Sequence, residues 1–317
     1  MFQLRPSPPA LLVALAVLGL AGGCATTAAS PSPRPARTLP KETVEDFAAP
    51  PIQRVEVTST RVEHGIRVTK GKLAIEGYLL PFTTYVPVEH AGPVPFVDVL
   101  PILAGGESIE ESLSMQLGEA GFASGLLDRP GRTFRDHESI ETLGATFLAS
   151  VRHQRAFLSW AQAQPGIDPE RTGCIGLSLG GMVGTVLTAV DDRIRWSAIC
   201  IAGADFPDIM LHTNEIRVRR WGGEQMAANG WTPRQLQAEV RGRIGFDPAR
   251  FAQAVDPARI LFVRAAFDRT MPGKDSSLLW ECLGRPRRIT LPTEHYTSAL
   301  LLSWITDRIV EFAGSRA

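Results

Sequence analysis

The chain has 317 residues, 44% of them hydrophobic, which is enough to bury the core of one large domain or two small ones. Its 33 basic residues balance 33 acidic ones, so there is no overall electrostatic footprint for nucleic acid. Its cysteines form no CxxC pair or His/Cys cluster of metal-binding spacing.

Met1–Pro9 carries one positive charge, Arg5, and is followed by an uninterrupted apolar or small run, Ala10–Ala21. A membrane-spanning helix needs about 20 such residues, whereas this run has the length of a secretory h-region. Ala21-Gly22-Gly23 then leads directly into Cys24. The segment resembles a bacterial lipobox, although Leu20 stands one place early and Ala21 sits where leucine is commoner. That resemblance implies a signal peptide over residues 1–23, lipidation of Cys24, and a membrane-anchored, exported protein. Ala25 is not aspartate, which in that pattern favours the outer membrane. The plainer alternative is an ordinary signal peptide cut nearby. Residues 24–51 are rich in Pro, Ala, Ser and Thr, and such a stretch reads as a disordered tether.

From Ile52 the pattern becomes regular, and residues 52–317 read as one domain. Val55–Val68 and Lys72–Val86 alternate as antiparallel strands do. Pro95–Leu103 and Phe122–Asp128 are short apolar strand candidates flanking a helix over Ser108–Ala120, with Gly121 as its C-terminal cap. Ser139–Gln164 is a long amphipathic helix. Strand Thr172–Leu177, helix Gly180–Val190 and strand Trp196–Gly203 follow. After a further strand, Arg259–Phe267, come helix Ser276–Leu283, strand Arg288–Leu291 and helix Tyr296–Phe312. Apolar strands alternating with helices argue for an α/β architecture: a mostly parallel central sheet covered on both faces. Cys174 and Cys200 lie in two of those strands and are expected as buried thiols. Residues 205–258 break the rhythm. They read as a small helical lid above the carboxyl ends of the strands, or as an ordinary crossover with long loops.

Gly176-Leu177-Ser178-Leu179-Gly180-Gly181 stands where a strand gives way to a helix. A sharp turn there exposes a serine hydroxyl and leaves no room for neighbouring Cβ atoms. A serine is a weak nucleophile that needs a base, a group to orient the base, and donors for an oxyanion. Asp268 follows a strand end and is the leading acid, with Asp205 the main rival and Asp275 a weaker one. His295 is the only one of six histidines after Asp268. The order Ser178, Asp268, His295 is that of a nucleophile–acid–base triad on an α/β sheet. The oxyanion donors are expected to be the backbone N–H groups of Leu179 and Ala104, with Gly105 as runner-up to Ala104.

IDPERTGCIGLSLGG, FDRTMP and EHYTS together resemble the α/β-hydrolase superfamily, in particular esterases similar to dienelactone hydrolases and acetyl xylan esterases. The resemblance spans roughly Val94–Phe312. It departs at Ile102-Leu103, where many relatives carry His-Gly. It implies hydrolysis of a small-molecule carboxylic ester through an acyl-enzyme, without metal or organic cofactor. A peptidase or acyltransferase on the same triad, or an inactive ligand-binding lipoprotein, are the alternatives. Arg217, Arg219 and Arg220 in the lid segment could attract an anionic substrate or lipid headgroups, or form a solvated face. Trp221 and Trp231 could line a pocket or fill the core of the lid.

Overall fold

A computed structural model describes residues 36–315 apart from Ala104 and Gly106. The apolar leader, Cys24 and the oxyanion candidate Ala104 lie outside the described residues.

Nine strands form one sheet, in the order β1-β2-β3-β5-β4-β6-β7-β8-β9. Strands β1 (Ile52–Glu63), β2 (Ile66–Ile75) and β3 (Tyr78–Pro87) are antiparallel neighbours. The expected single run Val55–Val68 is therefore two strands. His64-Gly65 and Glu76-Gly77 each connect adjacent strands in two residues, all four with positive φ, as hairpin turns of the primed type require. Strand β3 meets β5 (Ala123–Leu127) antiparallel, and from there all pairings are parallel. These are β4 (Val94–Leu100), β6 (Ile167–Leu177), β7 (Ile194–Cys200), β8 (Ile260–Ala265) and β9 (Arg287–Leu291).

Helices cover both faces, as the near-continuous apolar strands require. On one face Leu113 and Leu117 of a helix at Glu107–Glu119 join Ile305, Ile309 and Phe312 of the last helix, Leu302–Gly314. On the other face lie the long helix Ile140–Gln162, the helix Leu179–Val190 and the helix Gly273–Cys282. Ser139 caps the long helix by accepting from the Thr142 N–H at 3.1 Å. The expected helix Tyr296–Phe312 begins instead with a tighter 3-10 turn over Tyr296–Leu301.

In chain order we label the helices α1 (Lys41–Glu45), α2 (Glu107–Glu119), α3 (Ile140–Gln162) and α4 (Leu179–Val190). The insertion between β7 and β8 holds α5 (Phe206–His212), α6 (Ile216–Asn229), α7 (Pro233–Arg243) and α8 (Pro248–Ala252); α9 (Gly273–Cys282) and α10 (Leu302–Gly314) follow. The four inserted helices share the core of the sheet face covered by α3 and α4. Phe134, Phe147, Phe206, Trp221 and Phe246 pack ring against ring, and Trp221 donates its Nε1–H to the Glu138 carbonyl at 2.8 Å. Trp221 thus fills the base of the insertion, and Trp231 is half-buried beside the Arg243 guanidinium.

The tether reading of residues 24–51 is corrected at its described end. Residues 41–45 form α1, Phe47 is buried edge-on against Phe251, and the Phe47 carbonyl accepts from Arg155 at 2.7 Å. Arg37 N–H also donates to the Gln253 carbonyl. One buried aromatic and a few hydrogen bonds hold this polar stretch to α3 and α8.

Candidate active site

Strand β4 leads to β5 on one side of the sheet and β6 on the other, so the strand order reverses between β4 and β6. Loops that leave a sheet at such a point diverge and open a crevice above the strand ends. Ser178 stands at the end of β6 and Pro101–Gly105 follow β4.

Ser178 has φ 55° and ψ −120°, outside the ordinary regions for a residue with a side chain. Its neighbours hold it there. The Ser178 N–H donates to the Cys200 carbonyl at 2.8 Å, and its own carbonyl accepts from Met182 at 3.2 Å. A Cβ on Gly176 would lie 2.2 Å from the Gly180 oxygen, and one on Gly180 would lie 2.7 Å from the Leu100 oxygen. The small residues around the serine are therefore a steric requirement of the turn. Leu179 begins α4, so its N–H points from the positive end of a helix beside the hydroxyl.

His295 and Asp268 reach the serine from the other side. Asp268 Oδ1 accepts the N–H groups of Thr270 at 2.9 Å and Met271 at 2.7 Å, which fixes the carboxylate just past β8. Its Oδ2 lies 2.8 Å from His295 Nδ1, and His295 Nε2 lies 2.9 Å from Ser178 Oγ. A carboxylate can only accept, so Nδ1 carries the ring proton and Nε2 is left to accept from the hydroxyl. The Asp268 and His295 side chains are 3% and 8% exposed, which shields both bonds from water. The Phe267 N–H donates to the Thr293 carbonyl at 3.0 Å and joins the two loops.

The rivals for the acid lie elsewhere. Asp205 caps α5 and pairs with Arg241 at 2.8 Å. Asp275 is buried in α9, where burial pushes its carboxyl up to about 7. Among the other histidines, His153 is buried and hydrogen-bonded to Glu76 at 3.0 Å, and His212 pairs with Asp208. Cys174 and Cys200 are buried free thiols, both pushed upward by burial. Among the described residues no three His, Cys, Asp or Glu side chains converge as a metal site would require.

Three charged side chains hold the loop after β4, and of these the sequence patterns singled out only Arg217, for an anionic substrate, lipid headgroups or a solvated face. Glu110 of α2 accepts the Ile102 N–H at 2.9 Å, and its carboxyl is raised by burial. Arg129 donates to the Pro101 carbonyl at 3.2 Å and the Leu103 carbonyl at 2.8 Å, and burial lowers its guanidinium to about 10. Arg217 of α6 adds a bond to the Leu103 carbonyl at 3.2 Å. Gly105 N–H is committed to the Ile102 carbonyl at 3.1 Å, which removes it as a spare donor. Glu110 was legible in principle, because it shares the i, i+3, i+7 stripe of Leu113 and Leu117 and so falls on the buried face of α2. Nothing local marks Arg129.

An acetyl xylan esterase from Paenibacillus sp. R4 superimposes over 88% of this chain and 100% of its own, with a TM-score of 0.65 at 14% identity. The chain has the α/β-hydrolase fold. The chain is similar also to acetyl xylan esterase 1 from Thermoanaerobacterium sp. JW/SL YS485, over 85% of this chain and 99% of that one, with a TM-score of 0.61 at 12% identity. A cold-adapted esterase from an Arctic intertidal metagenomic library matches over 80% of this chain and 97% of its own, at 17% identity and a TM-score of 0.54. Neither a family model nor a curated protein sequence matches the chain.

Proposed function

We propose that the protein is a serine hydrolase of carboxylic esters, with Ser178 as nucleophile, His295 as general base and acid, and Asp268 as the residue that orients the histidine. The observation that carries this is the continuous hydrogen-bonded line from Asp268 through His295 to a strained, half-buried serine. His295 Nε2 takes the Ser178 proton as Oγ attacks the carbonyl carbon, and Asp268 stabilises the imidazolium. The Leu179 N–H at the start of α4 holds the oxyanion. The loop clamped by Glu110, Arg129 and Arg217 supplies the second donor, which we assign to Ala104. His295 then protonates the leaving alcohol, and a water activated by the same nitrogen releases the acid. The similarity to esterases of the same fold supports an ester over a peptide substrate.

The expected result with a p-nitrophenyl ester is a steady-state rate lost by at least a thousandfold in Ser178→Ala and His295→Ala. Full activity in the serine variant refutes the mechanism.

The leader belongs to the same reading: we infer export as a lipoprotein anchored through Cys24, with the tether spanning from the membrane to the docked segment near Phe47. Incorporation of labelled palmitate is expected in the wild type and not in Cys24→Ala. Equal labelling of both would overturn the anchor.

A further inference from the structure

Two apolar spaces open from Ser178, and both are bordered by Leu103, Glu215 and Thr270. The smaller, about 50 Å³, lies under the inserted helices between Phe134, Met182, Phe206 and Val218. The larger, about 130 Å³, runs in the opposite direction, into the sheet face covered by α2 and α10. Its walls are the strand-end residues Cys200, Val263 and Leu291, with Leu113 of α2 and Ile305 and Ile309 of α10.

The polar groups of this cavity stand at its mouth, and they are engaged. Tyr296 donates to Glu215 at 2.5 Å, Thr270 Oγ1 to Asn214 at 2.7 Å, and Ser298 shares a 2.8 Å bond with Thr293. Arg217 is held on the Leu103 carbonyl. Deeper in, the walls are aliphatic or sulfur, and a hydroxyl or charge placed there would lose its water without a partner. An engineered apolar cavity of about 150 Å³ in another protein stays dry and takes up benzene, a six-carbon group. A space of this size beside Ser178 therefore fits about five or six apolar carbons. An acetyl group would leave most of it empty, and a sugar would strand its hydroxyls.

Resting on the hydrolase reading above, we propose that this cavity binds an unbranched or cyclic hydrocarbon group of about five or six carbons carried directly on the ester, and that Ile305 and Ile309 set its length. The group is either the acyl chain or the leaving alcohol. Burial of each further methylene raises kcat/KM about fourfold until the end wall is met.

Two series of esters test this. In one the acyl chain of p-nitrophenyl esters grows from acetate to decanoate. In the other the alcohol of acetate esters grows from ethyl to octyl, followed by acid release. One series is expected to rise about fourfold per carbon to five or six carbons and then fall, and whichever does so identifies the side of the ester that the cavity holds. Ile305→Trp is expected to lower the ratio of the six-carbon to the two-carbon member at least tenfold in that series. Ile309→Ala, which removes bulk and so guards against a misfolded tryptophan variant, is expected to move the optimum to longer chains. A wild-type preference for the shortest member of both series overturns the proposal, as does an optimum that neither variant moves. Those outcomes leave the Ser178 mechanism standing. Absence of any Ser178-dependent hydrolysis in either series overturns the mechanism itself.

Discussion

Ser178 is held at positive φ by hydrogen bonds from its own backbone and by the absence of side chains at Gly176 and Gly180. Such strain costs of order 1–3 kcal/mol and persists only where the surroundings over-determine it. Its return is a hydroxyl presented to His295 at 2.9 Å. Asp268→Asn is expected to leave the fold intact and to lower kcat by about 10⁴, because an amide can favour the wrong histidine tautomer; a loss under tenfold would contradict the orienting role. Asp275 makes a different kind of prediction. Its carboxyl is buried, its Oδ2 has no partner among the described residues, and its folded value of about 7 stands well above the ordinary 3.8. A raised value means that folding favours the protonated form. The associated stability is present in full below about pH 4 and is lost as pH rises through 7. Asp275→Asn should therefore stabilise the protein by roughly 2–4 kcal/mol at pH 8 relative to its effect at pH 4, measured by urea unfolding at both. An equal increment at the two pH values would contradict this.

At the scale of elements, the β4 loop has the same task as the serine turn but a different solution. Glu110, Arg129 and Arg217 hold its backbone by charged side chains. Arg129→Met should lower kcat by about 10–100-fold with little change in KM, since the oxyanion donor proposed for this loop is one that acts mainly in the transition state. A rise in KM alone would assign Arg129 to substrate binding instead. The strands and helices that carry Ser178, Asp268 and His295 were legible because each is bounded by glycine, proline or a polar turn. The hairpin turns were not, because His64 and Glu76 are unusual in left-handed positions and only the following glycines betray them. Asp268 and Asp205 both lie between Ser178 and His295 and both follow a strand, so chain order alone does not separate them. Only the structure shows why Asp205 fails, since it caps α5 and pairs with Arg241.

On the scale of the whole molecule, contacts far apart in sequence decide what local pattern leaves open. Phe47 meets Phe251, so the stretch that reads as tether ends as a strap across α3 and α8. Phe47→Ala is expected to cost about 3 kcal/mol in urea unfolding while leaving kcat unchanged, because the strap lies away from Ser178. A drop in kcat with unchanged stability would tie the strap to the site. The aromatic base of α5–α8 is likewise assembled from Phe134, Phe147, Phe206, Trp221 and Phe246, which no local periodicity connects. It seats the insertion firmly on α3 while Glu215, Arg217 and Val218 border the two spaces beside the serine. The outer strand β1 carries the ion pairs Arg54–Glu56 and Arg61–Glu63 along the far edge of the sheet.

Ser178 is proposed above as a nucleophile activated by His295. Treatment with a fluorophosphonate followed by mass spectrometry of the digested protein tests it most directly. One covalent adduct is expected, on the peptide carrying Ser178, formed in wild type and slowed by at least a hundredfold in His295→Ala. An unmodified Ser178 peptide, or labelling at equal rate without His295, would contradict it.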